Sequence, residues 1–537
     1  MKLRNWIYAC VFSFHFFPHV HSQVTAMLDK NQPYDKLSGN VVTPHIQWAV
    51  PYSRGKVKAL VIAPALGQRE TVELAQRLSL DYTALMTHGY DEMYQDPKWL
   101  PHSVPVETAD KIIREKLKTT YDVILIGKVS WAILPDYLRA WIEEQVHKGT
   151  GLVYVCPRGI KETDSLFACQ ETSDSASFVT DSVPLKSLPV LDALDEKTVF
   201  GFGLSGEGRV AKINYGEQEW GTLHSLTPAR AYADWSLNYD YYHSILAKAL
   251  LWAARKEPDV DMSEMKTTGD LLTVKIVNRG AMDKKVQLEL VVRDRDNAIE
   301  DRQERQVKLA GGEQEVSFRL PTLKGGLHFL DVWVKENGKT LNWKSTSVMT
   351  TPECSIGEIV LDKESYKAGD RVSGRIALSR IPEKGSGLSI RMLDHFGRVM
   401  AEEKSAPRGK EVDFSFEIKE PLSLLLTIEA ELSDGKQVIS ELRKEFPVAW
   451  QKIDDYFFAV WIQVCDNHVG DLALKQFREL GVDFDYTRPS AERYCKAAKA
   501  NLGVIPYFSK SFFPGYGYSK MAQDDLVRIP CFTDPEF

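Results

Sequence analysis

The sequence is short of cysteine, of excess positive charge and of long apolar runs. Seven Cys in 537 residues are too few for a disulfide-built scaffold. None of them forms a C-x-x-C pair, which argues against zinc ribbons and dithiol redox motifs. Lys and Arg number 67 against 74 Asp and Glu, a net charge of −7. No bulk basic field is therefore available to hold nucleic acid or an anionic membrane. Beyond Ser22 no uninterrupted apolar stretch is long enough to span a bilayer, so no membrane span is expected. Gly and Pro, at 34 and 25 residues, are present in ordinary amounts, which excludes collagen-like and low-complexity chains.

What is present is a 44% hydrophobic fraction, enough for packed cores. At roughly 100–200 residues per domain the length predicts three or four domains. Met1–Ser22 reads as a secretory signal peptide: Lys2 and Arg4 precede the apolar run Trp6–Phe17, and Val20 and Ser22 suit a cleavage site that leaves Gln23 first. The expected location is secreted or periplasmic. In such an oxidising compartment Cys156 and Cys169 either pair or stay as two unrelated buried thiols; both readings stand.

Residues 45–256 alternate apolar strand runs with amphipathic helix patterns. Lys58–Ala63, Tyr82–Met86, Tyr121–Ile126 and Leu152–Val155 read as strands, and Thr71–Leu80, Thr108–Leu117, Leu134–Val146 and Asn238–Arg255 as helices. Nearly all-apolar strands joined by helices predict a doubly wound parallel sheet. Gly201–Gly208 has the look of a phosphate loop but lacks the Lys-Ser/Thr ending and runs into a strand pattern, so a hairpin is expected.

Glu257–Met265 is polar and reads as a linker. Periodicity then switches to alternation, which predicts two all-β modules over 266–350 and 353–448. Their short strands at even spacing suit immunoglobulin-like sandwiches. Trp333 and Trp343 belong by default to strand cores, with a sugar-contacting face as the sharper alternative.

From 452 to 537 the α/β alternation returns. Phe457–Val464, Val482–Tyr486 and Val504–Phe508 read as strands, with helices over Gly470–Leu480 and Ser490–Asn501. Strand–helix–strand–helix–strand at this pace predicts the opening of a TIM barrel, in about three of its eight βα units. Barrel sites form at the C-terminal ends of strands, which nominates Gln463, Asp466 and His468 after the first strand, Arg488 after the second and Tyr507 after the third as substrate-binding residues.

Three resemblances add to this reading. YDVILIG, KGTGLVYVCPRG and YDYYHSILAKALLWAA resemble the class I glutamine amidotransferase-like fold, which also occurs as a trimerisation domain in family-42-type β-galactosidases. That likeness implies a homo-oligomer formed through 45–256. An active amidotransferase needs a Cys on a Gly-x-Cys-x-Gly turn and a downstream His-x-Glu. Here Val155-Cys156-Pro157-Arg158 lacks the leading Gly, and His224 is followed by Ser-Leu, so Cys156 is expected to be structural and the domain non-catalytic. Ile359–Val372, with Tyr366 and the Gly369-Asp370 turn, resembles macroglobulin-like and bacterial immunoglobulin-like modules, which implies scaffold.

FFAVWIQV, KQFRELGVDFDYT, AAKANLGVIPYF and IPCFTDPEF resemble secreted multidomain glycoside hydrolases with a β-galactosidase-like barrel. This resemblance implies an oligo- or polysaccharide substrate and no cofactor or metal. Glycosidic cleavage needs two carboxylates, one to protonate the leaving oxygen and one to attack the anomeric carbon. The resemblance puts them on barrel strands four and seven, past Phe537, so the chain is expected to be an N-terminal portion, inactive alone, and no catalytic residue is named. The competing expectation is a non-catalytic carbohydrate-binding or assembly protein of the periplasm or cell surface.

Overall fold

The computed structural model describes residues 42–64, 67–94, 106–161, 164–167, 170–171, 177–216, 225–228, 235–280, 282–449, 457–460, 470–487 and 491–506. Met1–Ser22 lies outside them. The protein is mixed α/β plus all-β, and its described residues divide into one unit of 42–321 and 328–348 and another of 322–327 and 349–506.

The first unit opens with the α/β layer. In chain order it comprises β1 (Val57–Pro64), α1 (Arg69–Arg77), β2 (Leu80–Thr87), α2 (Val106–Lys116), β3 (Val123–Ile126), α3 (Asp136–His147), β4 (Gly151–Val155), β5 (Gln170–Glu171), α4 (Ser177–Thr180), α5 (Glu196–Val199), β6 (Phe200–Ser205), β7 (Gly208–Ile213) and α6 (Trp235–Ala253). The strands form one seven-stranded sheet in the order β2-β1-β3-β4-β7-β6-β5. β2, β1, β3, β4 and β7 run parallel. The hairpin β6–β7 closes through Gly206-Glu207, and this is where the expected hairpin at Gly201–Gly208 lies. Gly206 has φ +60°, and a Cβ there would sit 2.7 Å from the His147 Cα.

The apolar strands are buried because helices cover both sheet faces. On one face Leu60, Ile62, Ile124, Ile126 and Leu152 pack with Ile113 of α2 and Leu138, Ile142 and Val146 of α3. On the other α6 lies over β3, β4 and β7 and packs against α1. α6 is buried almost all round, Lys248 included.

The chain enters the first β module without a spacer. β8 (Val260–Thr268), β9 (Leu271–Asn278), β10 (Lys284–Asp294), β11 (Ile299–Leu309), β12 (Gly312–Arg319), β13 (Gly326–Glu336) and β14 (Lys339–Thr350) form sheets of order β11-β10-β13-β14 and β12-β9-β8. The linker expected at Glu257–Met265 is thus corrected: most of it is strand β8. β8, β11 and β14 each sit at a sheet edge. An edge strand borrows its order from one neighbour and keeps charge toward solvent, so its sequence shows little apolar alternation; β11 reads IEDRQERQVKL.

The second unit holds β15 (Ile356–Leu361), β16 (Tyr366–Lys367), β17 (Arg371–Leu378), β18 (Gly387–Asp394), β19 (Val399–Ser405), β20 (Glu411–Glu417), β21 (Leu425–Ser433) and β22 (Val438–Ala449). Sheets of order β15-β17-β20 and β16-β22-β21-β18-β19 enclose one core of Val372, Ile376, Ile390, Ile428 and Phe446. Tyr366 joins it, 2% exposed, its ring 5.1 Å from Phe446 and its hydroxyl donating to Asp362 at 2.6 Å. β19 is again an edge strand.

Past the sheets come β23 (Ala459–Val460), α7 (Gly470–Glu479), β24 (Phe484–Thr487), α8 (Ala491–Lys499) and β25 (Gly503–Pro506). α7 ends on Gly481 at φ +87°, where the Val482 N–H bonds back to Phe477 at 2.9 Å, a glycine-dependent helix stop. The strands are parallel and ordered β23-β24-β25. Leu474, Val482, Ala497 and Leu502 form the small core between helices and strands, with Val460 and Val504 against it. Asn501 ties α8 to the preceding module through the Leu424 N–H and the Leu422 carbonyl, both at 3.1 Å.

Candidate functional site

In a parallel sheet covered on both faces, ligands approach the carboxyl ends of the strands. In the α/β layer these ends carry Cys156 after β4 and Gly127 after β3. Cys156 stands at φ +45°, an uncommon conformation for a residue with a side chain. This geometry places a thiol where a strand turns sharply, as a nucleophile would need. The flanking Val155 and Pro157 carry no glycine signal for it, so the sequence reading missed the turn.

The electrostatics do not complete such a site. Burial pushes the Cys156 thiol up to about 11; the Tyr215 N–H, Lys128 and Arg158 pull the other way and lose. At neutral pH the group is a thiol, and it is the thiolate that attacks. Cys156 is free and buried. Its expected disulfide alternative, Cys169, and the expected base position, His224, lie outside the described residues.

Glu70 is the other acid at this edge, fully buried in the first turn of α1. Its carboxylate accepts from the Ser225 N–H at 2.6 Å, the Leu226 N–H at 2.5 Å and the Thr227 hydroxyl at 2.6 Å. With the Ser225 hydroxyl as a fourth donor at 3.2 Å, these bonds commit the carboxylate, so Glu70 anchors the 225–227 segment. The fit is tight: a Cβ on Gly67 would meet the Ser225 Cβ at 2.8 Å.

Behind it runs a buried ionic cluster between α1 and α6. Arg77 bonds Asp240 at 2.5 Å and Glu73 at 2.8 Å; Glu73 also accepts from Thr43 at 2.5 Å and Arg69 at 2.8 Å. Burial raises the Glu73 carboxyl, but Arg77, Thr43 and Arg69 outweigh it and hold the group below its ordinary value. His243 lies in the same interface, its Nδ1 2.9 Å from the Tyr239 carbonyl.

Trp333 and Trp343 are 4% and 1% exposed. Both pack on Trp48, at 5.5 and 6.3 Å between ring centroids. They are core residues, and neither presents a face to a sugar.

At the other end of the chain the parallel register puts Val460, Asp485 and Val504 on one face, the helix side where Val460 and Val504 join the core. Asp485 is fully buried there, which removes it as a residue facing ligand. Phe484, Tyr486 and Ile505 take the opposite face and are partly exposed. Gln463, Asp466, His468, Arg488 and Tyr507 lie outside the described residues. Among the described residues no group of three or more His, Cys, Asp or Glu is placed to hold a metal ion, and no helix is long and apolar enough to cross a membrane.

No protein-family model matches the chain. No curated protein matches it either. Among solved structures, an FMN-binding β-glucuronidase from Facaelibacterium prausnitzii L2-6 is similar at TM-score 0.21 and 11% identity, over 46% of this chain and 46% of that one. The β-glucuronidase from Ruminococcus gnavus in complex with D-glucuronic acid gives 0.20 and 14%, over 44% and 50%. Red sea bream transglutaminase gives 0.19 and 13%, over 46% and 38%. The chain thus spans half or less of each of these proteins. Likeness at this level fixes neither fold nor chemistry.

Proposed function

We propose that this chain belongs to an exported glycoside hydrolase of the β-galactosidase-like kind, acting on β-linked saccharides. The observation that carries this reading is the strand order β23-β24-β25. Each new parallel strand adds on the same side of the last, with a helix between, which agrees with how a (β/α) barrel grows and equally with one half of a doubly wound sheet. β24 and β25 end at Thr487 and Pro506, and the next residues are Arg488 and Tyr507. Together with Gln463, Asp466 and His468 they are the proposed saccharide-binding residues at the strand ends. The acid/base pair is assigned to other barrel strands, since the acid described on β24, Asp485, faces the helices. Met1–Ser22 supports export, and 45–256 is the proposed self-association surface.

The protein encoded by the complete reading frame, assayed with 4-nitrophenyl β-D-galactoside and related aryl β-glycosides, is expected to release nitrophenol. Arg488→Ala should lower kcat/KM by about a hundredfold, the scale of losing one positioned donor in a site. Saccharide binding without hydrolysis would replace this reading with the competing one, a non-catalytic carbohydrate-binding protein. The inert Cys156 thiol favours that alternative for the α/β layer alone.

A further inference from the structure

The two β modules repeat each other strand for strand. The first has sheets of order β11-β10-β13-β14 and β12-β9-β8; the second has β19-β18-β21-β22 and β20-β17-β15, with β16 added beside β22. Shared topology alone is common among sandwiches, but here the irregular details repeat as well. Gly269-Asp270 and Gly369-Asp370 turn with glycine φ of +60° and +85°, and the Asp carbonyls accept from the Leu320 and Ile418 N–H at 2.7 and 2.9 Å. Thr273 and Ser317 hold hydroxyls 3.3 Å apart across β9 and β12, and Ser373 and Ser415 hold theirs 3.0 Å apart across β17 and β20. The β10–β11 and β18–β19 hairpins shift register after Val292 and after Met392. Asp294 Oδ1 accepts from the Asp296 and Ala298 N–H at 3.0 and 2.8 Å, and Asp394 Oδ1 from the Phe396 and Arg398 N–H at 3.0 and 2.9 Å. Asn297 and Gly397 close the two tips at φ +67° and +80°.

This correspondence fixes which positions match. Leu330 pairs with Val292 and Ile428 with Met392, and all four are buried. On the outer face, Phe329, Asp331 and Trp333 of β13 therefore stand where β21 carries Thr427, Glu429 and Glu431. In the first module these three residues meet Tyr241 and Trp48 of the α/β layer. In the second module the same place holds ions. Arg391 bonds Glu429 and Glu431, and Arg443 lies 2.6 Å from Glu429 and 3.0 Å from Glu441. Glu429 is 2% exposed, so the network closes over its own carboxylate.

We propose that the two β modules are tandem copies of one unit whose docking surface for an α/β layer is the outer face of the larger sheet, and that the ion network closes this surface in the second copy. The proposal does not depend on the proposed hydrolysis. Seating the layer on the second copy would draw the Glu429 and Glu431 carboxylates and the two guanidiniums under Trp48 and Tyr241, with nothing to replace the lost water. Charge set against a wrong partner gives specificity without any new attractive contact. The α/β layer is thereby directed to the first copy, although both copies offer the same framework.

Hydrogen–deuterium exchange of the full chain, read by mass spectrometry, tests the proposal. Trp333→Glu gives the first copy the residue of the second. It should speed exchange in α6 at least about tenfold, because a carboxylate then faces Trp48. β9 and β12 should keep their protection, since the second copy carries a carboxylate at that place on the same framework. The reciprocal Glu431→Trp should leave β17 and β20 protected, and exchanging the tips 294–298 and 394–398 should leave β10 and β18 protected. Unchanged exchange in α6, or loss of protection in β9 and β12 together with α6, would overturn the docking assignment. Loss of protection after Glu431→Trp or after the tip exchange would overturn the copy relationship.

Discussion

The indole N–H of Trp333 donates to the main-chain carbonyl of Trp48 at 3.0 Å, and the two rings stack at 5.5 Å. Trp48 precedes β1 of the α/β layer, whereas Trp333 belongs to β13 of the first β module. Tyr241 of α6 extends the contact: its ring lies 4.6 Å from Phe329 and its hydroxyl donates to the buried Asp331 at 2.9 Å. Two parts with different periodicities share one interior.

Residues up to Val348 are therefore expected to unfold in a single calorimetric transition. Trp333→Ala should destabilise that transition by about 3–5 kcal/mol, the usual cost of emptying a buried aromatic site. Two separated transitions for the α/β layer and the first β module would refute the shared core.

Acid should weaken this unit, and His243 is one identifiable cause. Burial, with Arg77 beside it, lowers its pKa from 6.5 to about 3. Below pH 6.5 the unfolded chain takes a proton that the folded one refuses, so the stability His243 contributes is complete above that pH and is lost as the pH falls toward 3. Glu73, held below its ordinary 4.5, adds a further loss once the pH drops below that value. His243→Phe should flatten the dependence of the urea midpoint between pH 6.5 and 5, by up to about 1.4 kcal/mol per pH unit.

Lys248 is 2% exposed, and burial drives its pKa well below the ordinary lysine value. Its amine donates to Asn342 and sits 4.1 and 4.3 Å from the ring centroids of Phe178 and Trp343. Asn342 Oδ1 also accepts from the Trp343 N–H at 2.8 Å, so removing the amine strands no acceptor. Lys248→Met should keep or raise the melting temperature, because a buried ionisable group is traded for an apolar one of similar length. Lys248→Glu should unfold the first unit. A clear fall in melting temperature for the Met variant would mean that the ring contacts outweigh desolvation.

Cys156 should be silent toward thiol reagents. With its pKa raised to about 11 and its side chain covered, the native protein is expected to leave Cys156 unmodified by iodoacetamide at pH 8, with peptide mapping as the readout, and to react there on adding denaturant. Rapid native labelling of Cys156 would restore the nucleophile reading of the turn after β4.

The elements that were legible share one property: their pattern comes from burial on a known period. VILI and GLVYV lie in the middle of a two-faced sheet, and α7 and α8 present one apolar stripe each. What stayed illegible was set by neighbours. β8, β11 and β19 are polar edge strands that exist because a partner strand offers hydrogen bonds. Glu257–Met265 looked like a linker for that reason. The left-handed turn at Cys156 has no local glycine to announce it, and Glu70 gave no sign that a segment some 150 residues away would consume its carboxylate.

By itself the sequence determined the layers and their order: a mostly parallel α/β sheet, paired β sheets, then a second run of alternating strands and helices, because hydrophobic periodicity is local. Only the tertiary structure decided which polar groups are spent. It turned Trp333, Trp343, Glu70 and Asp485 inward and raised the Cys156 thiol. Burial and pairing depend on residues far apart in the chain, and no local pattern records them.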